Sequence, residues 1–157
     1  DAKDSKKMSA LQRENVFKKI EDARKSDILR YIVRYESSAM IDKRGLTWAI
    51  NSCIQKSFKK LELDPKNTRV LLDGGLKAPK EFIYQKTIIK GDQKEKVISL
   101  ASIVAKVSRD SLMVKLSKKF PEYGFEVHKG YGTLKHRRAI KKHGLSSIHR
   151  KTFTTKL

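Results

Sequence analysis

Arg69-Val-Leu-Leu-Asp-Gly-Gly75 is a short apolar run cut off by one acidic residue and two glycines, the pattern of a buried strand stopped by a flexible turn. Residues 82–90 (FIYQKTIIK) read as a second strand, stopped in turn at Gly91-Asp92. Lying side by side, two such strands would bring Asp73 and Asp92 together. Working outward, Ser9 and Gln12 have the spacing of a capping box and open a helix over 9–25. Ile28–Tyr35 is rich in β-branched and aromatic residues and reads as a further strand. Leu46, Ile50, Ile54, Phe58 and Leu61 recur every three or four residues and predict an amphipathic helix over about 40–62. From Val97 to Phe120 a single apolar stripe marks a long helix, which Pro121 ends. Strands interleaved with helices make this an α/β chain.

The length, 157 residues, suits one domain with a real core, and neither a repeat nor a long linker divides it. Thirty-seven Lys and Arg against 17 Asp and Glu give a net charge of +20, beyond what solubility requires, so a polyanionic partner is expected. The composition, 38% hydrophobic and 34% charged, is polar but argues against disorder. Cys53 stands alone, which excludes an intramolecular disulfide and a cysteine-based zinc cluster; with Trp48 it reads as core on the amphipathic helix. Nothing resembles a signal peptide or an apolar run of roughly 18 residues. A cytoplasmic protein without a membrane partner is the expectation. The most basic part is the tail 128–157, which has no acidic residue and includes Lys129, Arg137, Arg138 and Arg150.

Several constellations could carry chemistry. Asp73 and Asp92 fit two readings: paired carboxylates are first-ligand oxygens for hard divalent cations, and Asp-Gly or Gly-Asp is also ordinary turn chemistry. His128, His136, His143 and His149 fall within one short segment. Their spacing matches no zinc motif, which favours a solvated or phosphate-facing role, with His149 beside Arg150 placed for contact with a nucleic acid. Tyr131 stands between two glycines. Either its ring is free to stack on a sugar or base, with Lys129 and Lys135 on phosphates, or it packs on the core of a turn. Lys6 and Lys7 precede a helix cap and offer either a phosphate contact or a solvated charge run. Lys106 lies one helical turn from Ser102 and could face a phosphate. Asp110 is more simply an ion-pair partner of Arg109 than a ligand.

Taken together, DSKKMS at 4–9, LLDGG at 71–75, KGD at 90–92, ASIVAKVSRD at 101–110, YGFEVHKGYGT at 123–133 and IHRKTF at 148–153 resemble bacterial ribonuclease HII, in the family's order and across essentially the whole chain. The resemblance implies a ribonuclease H-like fold, a mixed β-sheet flanked by helices. It implies endonucleolytic cleavage of the RNA strand in RNA–DNA hybrids and at single ribonucleotides embedded in duplex DNA. In that family an Asp-Glu pair on the first strand and two later aspartates hold divalent ions. The later two match Asp73 and Asp92, which would hold Mg2+ or Mn2+ for an in-line displacement leaving a 5′-phosphate and a 3′-hydroxyl. Tyr131 matches the tyrosine that stacks on the sugar at the ribonucleotide junction. Lys6, Lys106, Lys129, His149 and Arg150 complete the expected substrate-binding set, and the protein is expected to be a monomer.

The same resemblance implies that the sequence starts after the strand that carries the Asp-Glu motif and the strand that follows it, so that 1–157 is a ribonuclease H-like domain without its N-terminal strands. The alternative function is a basic fragment that binds duplex nucleic acid without cutting it, with binding steep in salt and indifferent to metal. A purely architectural RNA-binding protein would explain the charge but not the two aspartates.

Overall fold

The structure, a computed structural model, describes residues 8–155. The chain divides into two compact units: one takes in the chain up to Tyr35 and Ile50–Val107, the other Glu36–Ala49 and the chain from Ser108 on. The elements are α1 (Ala10–Lys25), α2 (Ser38–Arg44), α3 (Leu46–Leu61), β1 (Val70–Asp73), β2 (Gln85–Ile88), α4 (Gly91–Lys94), α5 (Lys96–Ser117), α6 (Phe125–His128) and α7 (Leu134–His143), with single 3-10 turns at Pro121–Tyr123 and Lys151–Phe153. The α/β class expected from the sequence is the one observed. No helix among the described residues is long and apolar enough to cross a membrane.

In the first unit α1 starts where the capping box predicts. The Ser9 hydroxyl accepts the Gln12 N–H at 3.2 Å and the Gln12 side chain accepts the Ser9 N–H at 2.8 Å, satisfying two amides that the first turn leaves unpaired. Strands β1 and β2 pair in parallel, Val70 opposite Gln85 and Asp73 opposite Ile88. Alternation along β1 sends Val70 and Leu72 into a core with Ala78 and Phe82, and the Phe82 ring meets Phe58 edge-on at 4.5 Å. That alternation leaves Asp73 off this core face. The Gln85 amide closes the connection between the strands, accepting the Ala78 N–H at 2.9 Å and donating to the Phe82 carbonyl at 2.9 Å. A second core gathers Ile20, Ile103 and Val104, with Phe17, Leu29, Tyr31 and Val33 packed on it.

Three expectations change here. Residues 28–35 are not a strand. Their alternation is real, since Leu29, Tyr31 and Val33 turn toward the core. A strand, however, is defined by a ladder partner, and the parallel pair β1–β2 is the only sheet among the described residues. The helix read over 40–62 is two helices, because Gly45 (φ 85°) caps α2 and a new helix starts at Leu46. The second strand is Gln85–Ile88 rather than 82–90, since Phe82 is buried in the core beside β1 and its carbonyl takes the Gln85 amide in the connection.

The second unit is built on Met113, Tyr123 and Phe125, with Leu116, Phe120, Ala139, Ile140 and Ile148 packed around them. Tyr123 and Phe125 stack at 5.3 Å, and the Tyr123 hydroxyl donates to the Gly144 carbonyl at 2.9 Å. The Asp42 carboxylate accepts the Lys151 N–H at 2.8 Å and the Thr152 hydroxyl at 2.6 Å. The Thr152 hydroxyl holds the Asp42 acid below its ordinary range.

Candidate active site

Asp73 is the last residue of β1. Its Oδ1 accepts the backbone N–H of Gly91 at 2.7 Å. The chain reaches Gly91 through Lys90, whose backbone is left-handed (φ 56°, ψ 44°) and turns it from β2 into α4. The fit is close: a Cβ on Gly91 would stand 2.7 Å from the Ile98 Cδ1 and 3.3 Å from the Asp73 Oδ1. Asp92 follows directly, with 4% of its surface exposed. Asp92 therefore sits not at a strand end, as the sequence suggests, but in the first turn of α4, beyond the end of β2 at Ile88. The structure still brings the two aspartates to one end of the parallel pair, a single residue from a direct hydrogen bond. Lys106 is half-buried on α5 in the same unit, one turn beyond Ser102. Lys6 lies outside the described residues.

In the second unit Tyr131 stands on the loop between α6 and α7 with 56% of its surface exposed, so its ring is not core. Gly130 makes this possible with a positive φ of 81°, which an L side chain rarely adopts. The Tyr131 N–H donates to the His128 carbonyl at 2.9 Å, and the Tyr131 carbonyl accepts from the Thr133 N–H at 2.8 Å. Lys129, half-buried and also left-handed (φ 52°), donates from Nζ to the Glu126 carbonyl. Its own carbonyl lies 3.4 Å from Arg109 Nη2.

The histidines depart from the solvated role read from composition. His128, His136 and His149 are all buried around Phe125, with ring centroids 5.9, 5.5 and 5.6 Å from it, whereas His143 is exposed. His149 retains 9% exposure, and its ring nitrogens are engaged with Ser146 and His136. It is an internal residue rather than a nucleic-acid contact. Arg150 is half-buried, its guanidinium 3.9 Å from the centre of the Phe153 ring. Burial, with Arg109 nearby, lowers the Arg150 pKa from its usual value.

Sequence reasoning missed Gly91, whose need for no side chain arises from contacts with Ile98 and Asp73, and Ser146, whose partner stands three residues on. The Ser-x-x-His spacing at 146–149 was the only available signal.

Two carboxylates at one end of the parallel pair, Asp73 on β1 and Asp92 in the first turn of α4, are hard oxygen donors of the kind a divalent cation takes. The donor chemistry fits a divalent cation. Among the described residues no three His, Cys, Asp or Glu side chains gather to hold a metal ion.

The family profile described as "Ribonuclease HII" matches residues 1–156. Among curated relatives, the ribonuclease HII of Endomicrobium trichonymphae is 41% identical over 96% of this chain and 69% of its own length. That of Clostridium beijerinckii is 41% identical over 98% of this chain but 54% of its own length. That of Prochlorococcus marinus is 39% identical over 99% of this chain and 78% of its own length. The chain thus spans from about half to about three quarters of these relatives. On these matches, the chain belongs to the ribonuclease HII family.

Proposed function

We propose that this chain carries part of the catalytic centre of an endoribonuclease that cuts the RNA strand of RNA–DNA hybrids and single ribonucleotides embedded in duplex DNA, leaving a 5′-phosphate and a 3′-hydroxyl. The observation that carries the proposal is the bond from Gly91 to Asp73, which seats Asp92 beside it at the end of the parallel pair. When bound, a pair of divalent ions, Mg2+ or Mn2+, supplies the charge stabilisation that an in-line phosphoryl displacement needs, and Asp73 and Asp92 are the residues here that would hold them.

The protein's own groups do the rest. Gly91 holds one oxygen of Asp73. Tyr131 offers an exposed aromatic face for the sugar at the ribonucleotide junction, where the 2′-hydroxyl separates RNA from DNA. Lys106, Lys129 and Arg150 place positive charge for phosphates, and the net charge of +20 draws the duplex in. In this reading the protein works in the cytoplasm as a monomer, with nucleic acid as its partner.

The test is cleavage of a DNA duplex carrying one ribonucleotide, with Mg2+ and then Mn2+, by the chain and by Asp73→Asn. The Asn side chain can still accept the Gly91 N–H, so the fold is kept while the charge is lost. Metal-dependent cutting that vanishes in the variant supports the reading. Salt-sensitive binding without cutting in either ion establishes instead a duplex-binding fragment.

A further inference from the structure

We propose that His136 is a positioning residue for Tyr131, set in its working tautomer by His149 and Ser146, so that a hydrogen-bond chain inside the second unit fixes how the exposed tyrosine is presented. This deepens the reading of Tyr131 as the sugar contact and rests on it.

The direction of the chain follows from groups whose roles are fixed. The Tyr131 carbonyl only accepts, so the His136 Nδ1 at 3.0 Å from it carries the proton. In the neutral ring His136 Nε2 is then an acceptor. Its neighbour at 3.0 Å is His149 Nε2, which must donate. That leaves His149 Nδ1 as acceptor, and it receives the Ser146 N–H at 3.0 Å, with the Ser146 hydroxyl oxygen 2.7 Å away. One arrangement of protons satisfies every nitrogen, and it runs from Ser146 through two imidazoles to the backbone of residue 131.

The far end of this chain is well held. His136 and His149 are 6% and 9% exposed. The His136 ring stacks on His128 at 4.4 Å. His128 is itself fixed, its Nδ1 accepting the Gly130 N–H at 3.2 Å and its Nε2 donating to the Tyr123 carbonyl at 2.9 Å. On the loop side, Arg137 Nε donates to the Gly132 carbonyl at 3.0 Å. The backbone on both sides of Tyr131 is therefore clamped beneath an exposed ring, and preorganisation of that kind lowers the ordering cost of a contact. Packing alone would be met by apolar side chains in place of the imidazoles; the polar chain does one thing more, which is to end on the Tyr131 carbonyl.

The experiment compares His136→Leu, His136→Asn and Tyr131→Ala by the ratio of affinities for a duplex with one ribonucleotide and for the same duplex in all-DNA form. His136→Leu is expected to lower that ratio roughly tenfold, the scale of one lost hydrogen bond, with all-DNA affinity changed by less than about twofold. The Asn amide nitrogen stands where Nδ1 did and should restore most of the ratio. If Tyr131→Ala lowers the ratio and His136→Leu does not, or if Asn behaves as Leu, the positioning role is overturned while the reading of Tyr131 survives. If Tyr131→Ala leaves the ratio unchanged, both fall. Should the variants fail to fold, nitrogen–proton correlation spectra of the unmodified protein decide: His136 as the Nδ1–H tautomer with His149 as Nε2–H supports the chain, and His136 as Nε2–H overturns it.

Discussion

Oδ1 of Asp73 and the backbone nitrogen of Gly91 are 2.7 Å apart, and this one bond ties the end of β1 to the residue that precedes Asp92. Asp92 thus directly follows the residue whose amide Asp73 holds. A Cβ on Gly91 would meet the Ile98 Cδ1, the Asp73 carboxylate and the Ile88 Cβ, so a substitution there requires these side chains to shift.

Gly91→Ala is accordingly expected to cost about 1–3 kcal/mol of stability, the range for an added methyl in a filled site. It should lower cleavage more than its melting shift accounts for, because the methyl presses on Asp73 as well as on Ile98. Equal activity per folded molecule would remove Gly91 from the site.

Tyr131→Ala should reduce cleavage at a junction ribonucleotide by roughly 10-fold or more, the scale of one aromatic stack on a nucleotide, and should leave the melting temperature close to that of the parent, because the ring is largely exposed. A large loss of stability would show the ring to be packing rather than contact.

Charge on the tail can be tested apart from the loop only if Arg137 is spared, since it holds the Gly132 carbonyl. Arg138 and Lys142 are exposed on α7. Neutralising both as Gln should weaken binding to every duplex alike and reduce the slope of log affinity against log salt by about two. An unchanged slope would place the duplex elsewhere.

Stability should depend on pH through the buried imidazoles. Burial lowers the pKa of both His136 and His149, and their mutual repulsion adds to it for His149. His128 stacks on the first, and the Tyr123 ring lies 4.9 Å from the second. A group depressed in the folded state binds fewer protons there than in the unfolded chain. Its contribution is therefore complete above the unfolded value of about 6.5 and is lost as pH falls below it. Melting temperatures measured between about pH 7.5 and pH 5 should fall toward acid, and the fall should shrink in His149→Gln. A flat profile would show that these rings take up protons in the folded state as readily as in the unfolded chain.

Much of this was legible in the residues. Ser9 and Gln12 announce the start of α1 because a cap is a local bond between near neighbours. The run at 69–75 announces β1 and Asp73 because burial and turn chemistry change within a few residues. The segment at 28–35 misled, since its alternation reports a face turned to a core and not the ladder that would make it a strand. Gly45 was readable as a break, since the recurring apolar positions begin only at Leu46. The histidines were misread because what buries them, the ring of Phe125 and the partners Tyr131 and Ser146, comes from other turns of the chain, and no spacing rule links His136 to His149.

The Asp73–Gly91 bond spans 18 positions, as the His136–His149 bond spans 13. Each closes a short loop, and short loops cost little entropy to close. The two devices should accordingly form early in folding, each without waiting for the other. Pulse-labelled hydrogen exchange would show this as protection of the Gly91 amide on its own schedule, with a rate that truncating Phe125 to Leu leaves unaltered.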